Sequence, residues 1–157
     1  WGGTRRMVRR LVEAFGSPLP WDGSRRAFPT IEQFVDGAGH MLEDGLGLGY
    51  RGPYIVELAR RVQSGDIDLS RWEDDSLDPD LLYRELRAVK GIGDYAASSI
   101  LLLLGRTERI PVDSWARKLI SARFYAGAAI TDRQAADAFS EFGRWRGLAF
   151  WFYDWQI

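Results

Sequence analysis

The chain has 157 residues, 46% hydrophobic and 27% charged, a balance that fits one globular domain with a real core and excludes a disordered chain. With 21 basic and 22 acidic residues the net charge is −1, which excludes a strongly basic nucleic-acid binder; any contact with DNA must rest on locally placed charges and backbone amides. Zero cysteines exclude disulfides, thiol catalysis and a thiolate-held iron–sulfur cluster, and a single histidine, His40, leaves zinc chemistry and a serine–histidine triad without support.

The chain starts at Trp1 rather than methionine and reads as a piece of something longer. No apolar run is long enough to span a membrane, and the absence of a signal-peptide pattern favours the cytoplasm, in association with the nucleoid if the source is bacterial. A first helix is predicted with Met7, Val8, Leu11, Val12 and Phe15 inside and Gly16 as its stop. Arg5, Arg6, Arg9 and Arg10 occupy its other face, which reads first as a solvated face and second as a phosphate-tracking one. Pro18, Pro20, Gly23 and Ser24 punctuate a predicted loop from Ser17 to Phe28. Thr30 and Gln33 form a capping-box pattern opening a short helix. A glycine-rich connector, Leu46 to Arg51, leads into a helix over Pro53 to Gln63 with Leu58, Ala59 and Val62 toward the core. Ser64 to Asp80 is acidic and reads as a solvated connector lying away from any DNA surface, because it lacks calcium-loop spacing.

Next comes the stretch that organises the chain, Leu86 to Lys118. Leu82, Leu86 and Val89 recur at helical spacing before Lys90-Gly91-Ile92-Gly93, and Ala96, Ala97, Ile100, Leu101 and Leu104 recur after it. Two glycines so placed let the backbone turn sharply and approach a ligand, and the second helix then opens with unpaired N–H groups that suit phosphate. Pro111-Val112-Asp113 follows about twenty residues on, just before a helix over Ser114 to Tyr125 that Gly127 ends. Thr131 caps another helix, with Ala135, Ala138, Phe139 and Phe142 inside, and an aromatic segment from Phe142 to Trp155 closes the chain. Most of these closing aromatics are expected in the core. No segment shows strand alternation, and there is no internal repeat, so the fold is read as all-α.

The hairpin VKGIG followed by PVDS resembles the helix-hairpin-helix (HhH-GPD) DNA glycosylase superfamily, whose mark is L-P-G-[IV]-G and a later V-D. FPT followed by GLGYRGPYIVELARRV is similar to another phrase of that superfamily, shared with its oxidised-guanine branch. WRGLA, from Trp145 to Ala149, resembles the closing helix of its 3-methyladenine, or alkylated-base, branch. The resemblance covers residues 1–157, with the helix-hairpin-helix motif at 81–105, and lacks the family's preceding helix and the β-rich domain of some branches. It implies two helical lobes enclosing a cleft, with the hairpin and the aspartate facing each other across it.

The resemblance further implies a base-excision-repair enzyme acting on double-stranded DNA with a damaged base, as a monomer. As residues alone, Asp113 reads first as a helix N-cap; the resemblance reverses that order, because Asp113 matches the catalytic carboxylate, which would stabilise positive charge on the deoxyribose and orient water. Tyr95 stands where lyase-active relatives carry a lysine, so no Schiff base is expected and the enzyme would be monofunctional. Tyr95, Trp145 and Trp151 would shape a pocket for the flipped base, though Tyr95 also reads as a core tyrosine. Lys90, Gly91, Ile92 and Gly93 would contact phosphate, with Lys90 replacing the usual proline. No cofactor is required, but the carbonyls of Arg87, Val89 and Ile92 match those that hold Na+ or K+ in the family. Asp94 sits beside the phosphate site and would oppose DNA unless turned aside. An alkylated purine is the favoured substrate, with oxidised guanine as the alternative. A non-catalytic DNA-binding module and a purely protein-binding scaffold are the competing readings.

Overall fold

The computed structural model describes residues 2–39 and 46–153, and is helical apart from one small ribbon. The chain forms two compact units that divide between Leu69 and Ser70. Among the described residues no helix is long and apolar enough to cross a membrane.

The first unit holds α1 (Gly2–Phe15), β1 (Pro18–Leu19), β2 (Asp22–Arg26), α2 (Ile31–Asp36) and α3 (Arg51–Gln63). Leu11, Phe34, Ala38, Leu48, Val56 and Ala59 make its core. Val8, expected inside, is 42% exposed, because α1 buries only the narrow stripe through Leu11 while Met7 and Phe15 pack at its edge. In α3 the buried residues are Gly52, Val56 and Ala59, so the inner face lies slightly off the predicted one and Leu58 and Val62 flank it. Arg5, Arg6, Arg9 and Arg10 are exposed, as a solvated face requires. The capping box at Thr30 forms as read: its hydroxyl accepts from the Gln33 N–H at 3.3 Å, and Gln33 Oε1 accepts from the Thr30 N–H at 2.9 Å.

The predicted Ser17 to Phe28 loop is instead an antiparallel ribbon pairing Pro18 with Arg26 and Leu19 with Asp22. It escapes an alternation test because Asp22–Arg26 buries no face. Local bonds hold it: Arg26 Nη1 donates to the Gly16 carbonyl at 2.6 Å, and Ala27 N–H donates to Ser17 O at 2.9 Å. His40 and Trp155 lie outside the described residues.

α4 (Leu69–Glu73) starts on the last residue of the first unit, and the second unit continues with α5 (Pro79–Ala88), α6 (Asp94–Leu103), α7 (Ser114–Phe124), α8 (Asp132–Asp137), a 3-10 helix (Ser140–Trp145) and α9 (Arg146–Tyr153). Leu82, Leu86, Ala97 and Leu101 lock α5 to α6; burying each leucine contributes about 1.5–3 kcal/mol. Ile110, Ala116, Ile120, Ile130, Ala135, Phe139 and Phe150 form a second cluster. The acidic connector is not wholly irregular, since it carries α4 and ends on Asp78, whose carboxylate caps α5 through the N–H groups of Asp80 and Leu81. Thr131 caps α8 with a second capping box, but Phe142 is 45% exposed because α8 stops at Asp137 and the chain tightens into the 3-10 helix. The closing aromatics also depart from expectation. Phe150 is buried, whereas Trp145, Trp151 and Phe152 are 49%, 44% and 55% exposed.

Candidate active site

The hairpin forms where the glycines demand it. α5 ends at Ala88, the Ile92 N–H donates to the Val89 carbonyl at 3.0 Å, and Gly91 takes φ +91°, a conformation that disfavours any side chain. Gly93 then caps α6 with no side chain over the helix end, and a Cβ there would meet no atom within 4 Å. The first turn of α6 is thus approachable main chain, beside exposed Lys90, Gly91 and Gly93 and half-buried Ile92.

Asp94 is turned aside from that opening. Its Oδ1 accepts from the Tyr83 hydroxyl at 2.5 Å and pairs with Arg87 Nε at 2.8 Å, while Arg87 Nη1 donates to the Ile92 carbonyl at 2.7 Å. The Tyr83 hydrogen bond, together with the Arg87 charge, holds the Asp94 carboxyl below its ordinary range, and burial plus the same hydrogen bond push the Tyr83 phenol up. Both shifts keep the donor protonated and the acceptor ionised at neutral pH. One side of the hairpin is therefore braced by side chains.

The same bonds bear on a hairpin cation. Of the three carbonyls the family pattern points to, that of Val89 accepts from Ile92 N–H and that of Ile92 from the Arg87 guanidinium. A second positive charge at the Ile92 oxygen would meet the guanidinium already there. The residues present do not fit a metal ion unless Arg87 moves.

Asp113 sits at the N-cap of α7 with extended backbone, φ −106° and ψ −173°, and its Oδ1 accepts from the Ala116 N–H at 2.7 Å. That bond leaves the other carboxylate oxygen available. A further role for that oxygen would not compete with the cap. The hairpin and Asp113 both belong to the second unit rather than to opposite lobes, because the α5–α6 pair and α7 are consecutive parts of one compact body.

A cavity of about 560 Å³ opens within this unit, walled by α5, the start of α6, residues 108–112, α8 and the start of α9. Tyr95, 48% exposed, lines it, as does Val112 immediately before Asp113. Trp145 and Trp151 do not line it, although Arg146, next to Trp145, does. Most of the remaining lining is polar, Ile110 and Ala136 apart, and beyond Asp94 none of it was singled out from the sequence: Tyr83, Ser98, Glu108, Arg109 and Asp132, with Asp80 from the end of the acidic connector. Most of these charges are already matched. Arg109 pairs with Asp80 at 2.8 Å and stacks on Tyr83 at 3.8 Å, Asp94 holds Arg87, and Asp132 pairs with Arg117 at 2.7 Å. Two hydrogen bonds fix the wall carrying Glu108: Thr107 Oγ1 donates to Arg144 O at 2.8 Å and Gly147 N–H donates to Thr107 O at 2.8 Å, while a Cβ at Gly147 would collide with the Arg109 carbonyl. Only glycine lets α9 lie this close. No group of three or more His, Asp or Glu side chains able to hold a metal occurs among the described residues.

This arrangement is the fold of the helix-hairpin-helix DNA glycosylases. The chain is similar over 99% of its length to an 8-oxoguanine glycosylase/lyase of Clostridium acetobutylicum, solved with duplex DNA carrying cytosine opposite 8-oxoguanine, at TM-score 0.81 and 22% identity. A 3-methyladenine DNA glycosylase from Archaeoglobus fulgidus superposes over 99% of the chain at TM-score 0.77 and 24% identity. A probable N-glycosylase/DNA lyase of Methanothermobacter thermautotrophicus is 34% identical over 92 residues, 58% of this chain. No family model matches the chain. It spans 28% of the archaeal N-glycosylase/lyase and 55% and 52% of the two structures, in the order given. Fold and sequence thus agree with the resemblance carried by VKGIG and PVDS.

Proposed function

We propose that this chain is the catalytic part of a monofunctional DNA glycosylase of base excision repair, which hydrolyses the N-glycosidic bond of a flipped, damaged purine. The observation that carries the reading is Asp113: a carboxylate with one oxygen committed to the Ala116 N–H and the other available, beside the cavity-lining Val112. As the base departs with the bonding electrons, positive charge builds on the deoxyribose. Asp113 stabilises that charge and accepts a proton from the water that attacks the sugar carbon. A fixed carboxylate held by its own helix cap needs little reorganisation for this. The cap alone would also serve a non-catalytic module, which predicts DNA affinity with no base release.

The hairpin would hold a phosphate through the N–H groups of the first α6 turn, with Lys90 beside it. Arg87 would serve in place of a bound metal ion in keeping the hairpin closed. Duplex affinity is then expected to stay within about twofold when K+ is replaced by choline at constant ionic strength. In Arg87→Ala the same replacement should weaken binding, and equal sensitivity in both proteins would count against the brace.

Tyr95 supports water rather than an amine as nucleophile, since a phenol forms no Schiff base. Duplexes carrying alkylated, oxidised or deaminated bases provide the test, each read by single-turnover release with and without alkali. Strand breaks only after alkali, with no borohydride-trapped adduct, are expected. Breaks without alkali would replace the monofunctional reading by a lyase.

A further inference from the structure

The arginine face of α1 has no part in the site described above. Arg5, Arg6 and Arg9 are exposed and lie within about 100° of arc on the side of the helix opposite buried Leu11, with Arg5 and Arg9 about 6 Å apart along the axis. Arg5 and Arg6 make no ion pair among the described residues, and Arg9 has Glu13 at 3.5 Å with both side chains largely in water. Such a pair neutralises little. Arg10, the fourth of the run, is committed elsewhere: its Nη1 donates to the Leu46 carbonyl at 3.3 Å, and a Cβ on Gly47 would run into its guanidinium. Arginines of other elements are matched to carboxylates, Arg61 to Asp66, Arg109 to Asp80 and Arg117 to Asp132. Like charges three and four residues apart on a helix repel, so Arg5 and Arg6 each weaken α1 against Arg9 unless an anion lies over them. A face left to water alone gains nothing from that arrangement and usually mixes both signs.

We infer that Arg5, Arg6 and Arg9 form a second duplex-binding surface, in the first unit and separate from the hairpin, which takes DNA phosphates without reading a base; the inference rests on the glycosylase reading, which supplies the polyanion. Each guanidinium fork takes a phosphate through paired N–H donors and stays charged at any working pH. Duplex DNA carries one phosphate per about 1.7 Å of axis, so three such groups on little more than one helical turn meet several phosphates. The face offers no ring to stack on a base, because the one aromatic of α1, Phe15, packs against the core. Damaged and undamaged duplexes are therefore held alike. In a chain of net charge −1 this local surplus, rather than bulk charge, is what attracts undamaged DNA. A hairpin contact with one phosphate gives a slope of about −0.9 in log affinity against log salt, and three arginine contacts add about −2.7.

The test is fluorescence anisotropy of this chain on a short undamaged duplex and on the same duplex carrying one 8-oxoguanine, over a range of salt. In Arg5→Gln/Arg6→Gln/Arg9→Gln the slope should be shallower by about 2.7, so that raising salt from about 50 to 200 mM weakens the wild type about 40-fold more than the variant. Both duplexes should respond alike. The melting temperature should hold or rise, since glutamine suits a helix as well as arginine does and the like-charge pairs are gone. Arg25→Gln/Arg60→Gln/Arg123→Gln removes the same charge from exposed positions on β2, α3 and α7 and should keep the wild-type slope. The inference is overturned if the α1 variant keeps that slope, if the control loses as much, or if affinity falls only in step with melting temperature. Competition by poly-glutamate as effective as by duplex would assign the face to an acidic protein and overturn it too. Base release from damaged duplexes beside any of these results would leave the glycosylase reading standing. An α1-dependent slope with no release from any damaged duplex would uphold the surface and remove the glycosylase reading instead.

Discussion

Asp113→Asn is expected to lower single-turnover base release by about 10³-fold, the scale of losing a preorganised electrostatic group at a reacting centre. The substitution separates the two roles of this side chain. An asparagine oxygen can still accept from the Ala116 N–H, now 2.7 Å from Oδ1, so the α7 cap survives. The melting temperature should therefore stay within about 2 °C, equivalent to no more than about 1 kcal/mol. Asp113→Ala removes the cap as well and should cost about 1 kcal/mol in addition to activity. Duplex affinity should survive in both variants, because the hairpin is untouched. If Asp113→Asn releases base at the wild-type rate, Asp113 is a cap alone and the chemistry lies elsewhere. A loss of release that follows only the loss of stability across the two variants would lead to the same conclusion.

What the sequence revealed and what it concealed follow from the range of the interactions involved. The hairpin was legible because Leu82, Leu86, Ala97 and Leu101 repeat at helical spacing on either side of two glycines, one of which adopts φ +91°. The capping boxes at Thr30 and Thr131 were local for the same reason, each bond spanning three residues. The Asp113 cap was legible because a carboxylate just before a helix can reach its first N–H groups within three residues. The polar cavity was not, since Asp80 and Arg109 pair across 29 residues and Thr107 reaches Arg144 across 37. Nothing in a period or a motif marks such pairs, and Glu108 becomes conspicuous only when its neighbours are seen to be satisfied. The one available signal was the run Arg106 to Arg109, four polar residues between an apolar helix and an apolar Ile110-Pro111-Val112 segment. The closing aromatics misled for the converse reason: helical spacing identifies a stripe, but the 3-10 segment with Gly143 at φ +52° breaks the stripe and turns Phe142 and Trp145 outward.

Phe139 is where the largest loss of stability is expected. It is 1% exposed, and its ring meets those of Phe124 at 5.3 Å, Phe150 at 5.6 Å and Tyr153 at 5.3 Å, the last two nearly edge-to-face. Those partners belong to α7 and α9, so one side chain at the end of α8 joins the helix that Asp113 caps to the helix that begins at Arg146. Phe139→Ala would leave a cavity that three aromatic neighbours cannot fill without moving, at about 3–5 kcal/mol. In a chain of this size that lowers the melting temperature by about 10 °C or more. Phe142→Ala provides the control: its ring also touches Phe139, at 6.2 Å, but it is 45% exposed, and a cost below about 1 kcal/mol is expected. Base release should fall with Phe139→Ala even well below its melting temperature, because loosening α9 against α7 shifts Arg146 relative to Asp113. Urea unfolding of the two variants decides the matter. Equal losses would mean that the second unit draws its stability elsewhere, and the coupling between α7 and α9 would have to be sought through Ile110 and Ile120 instead.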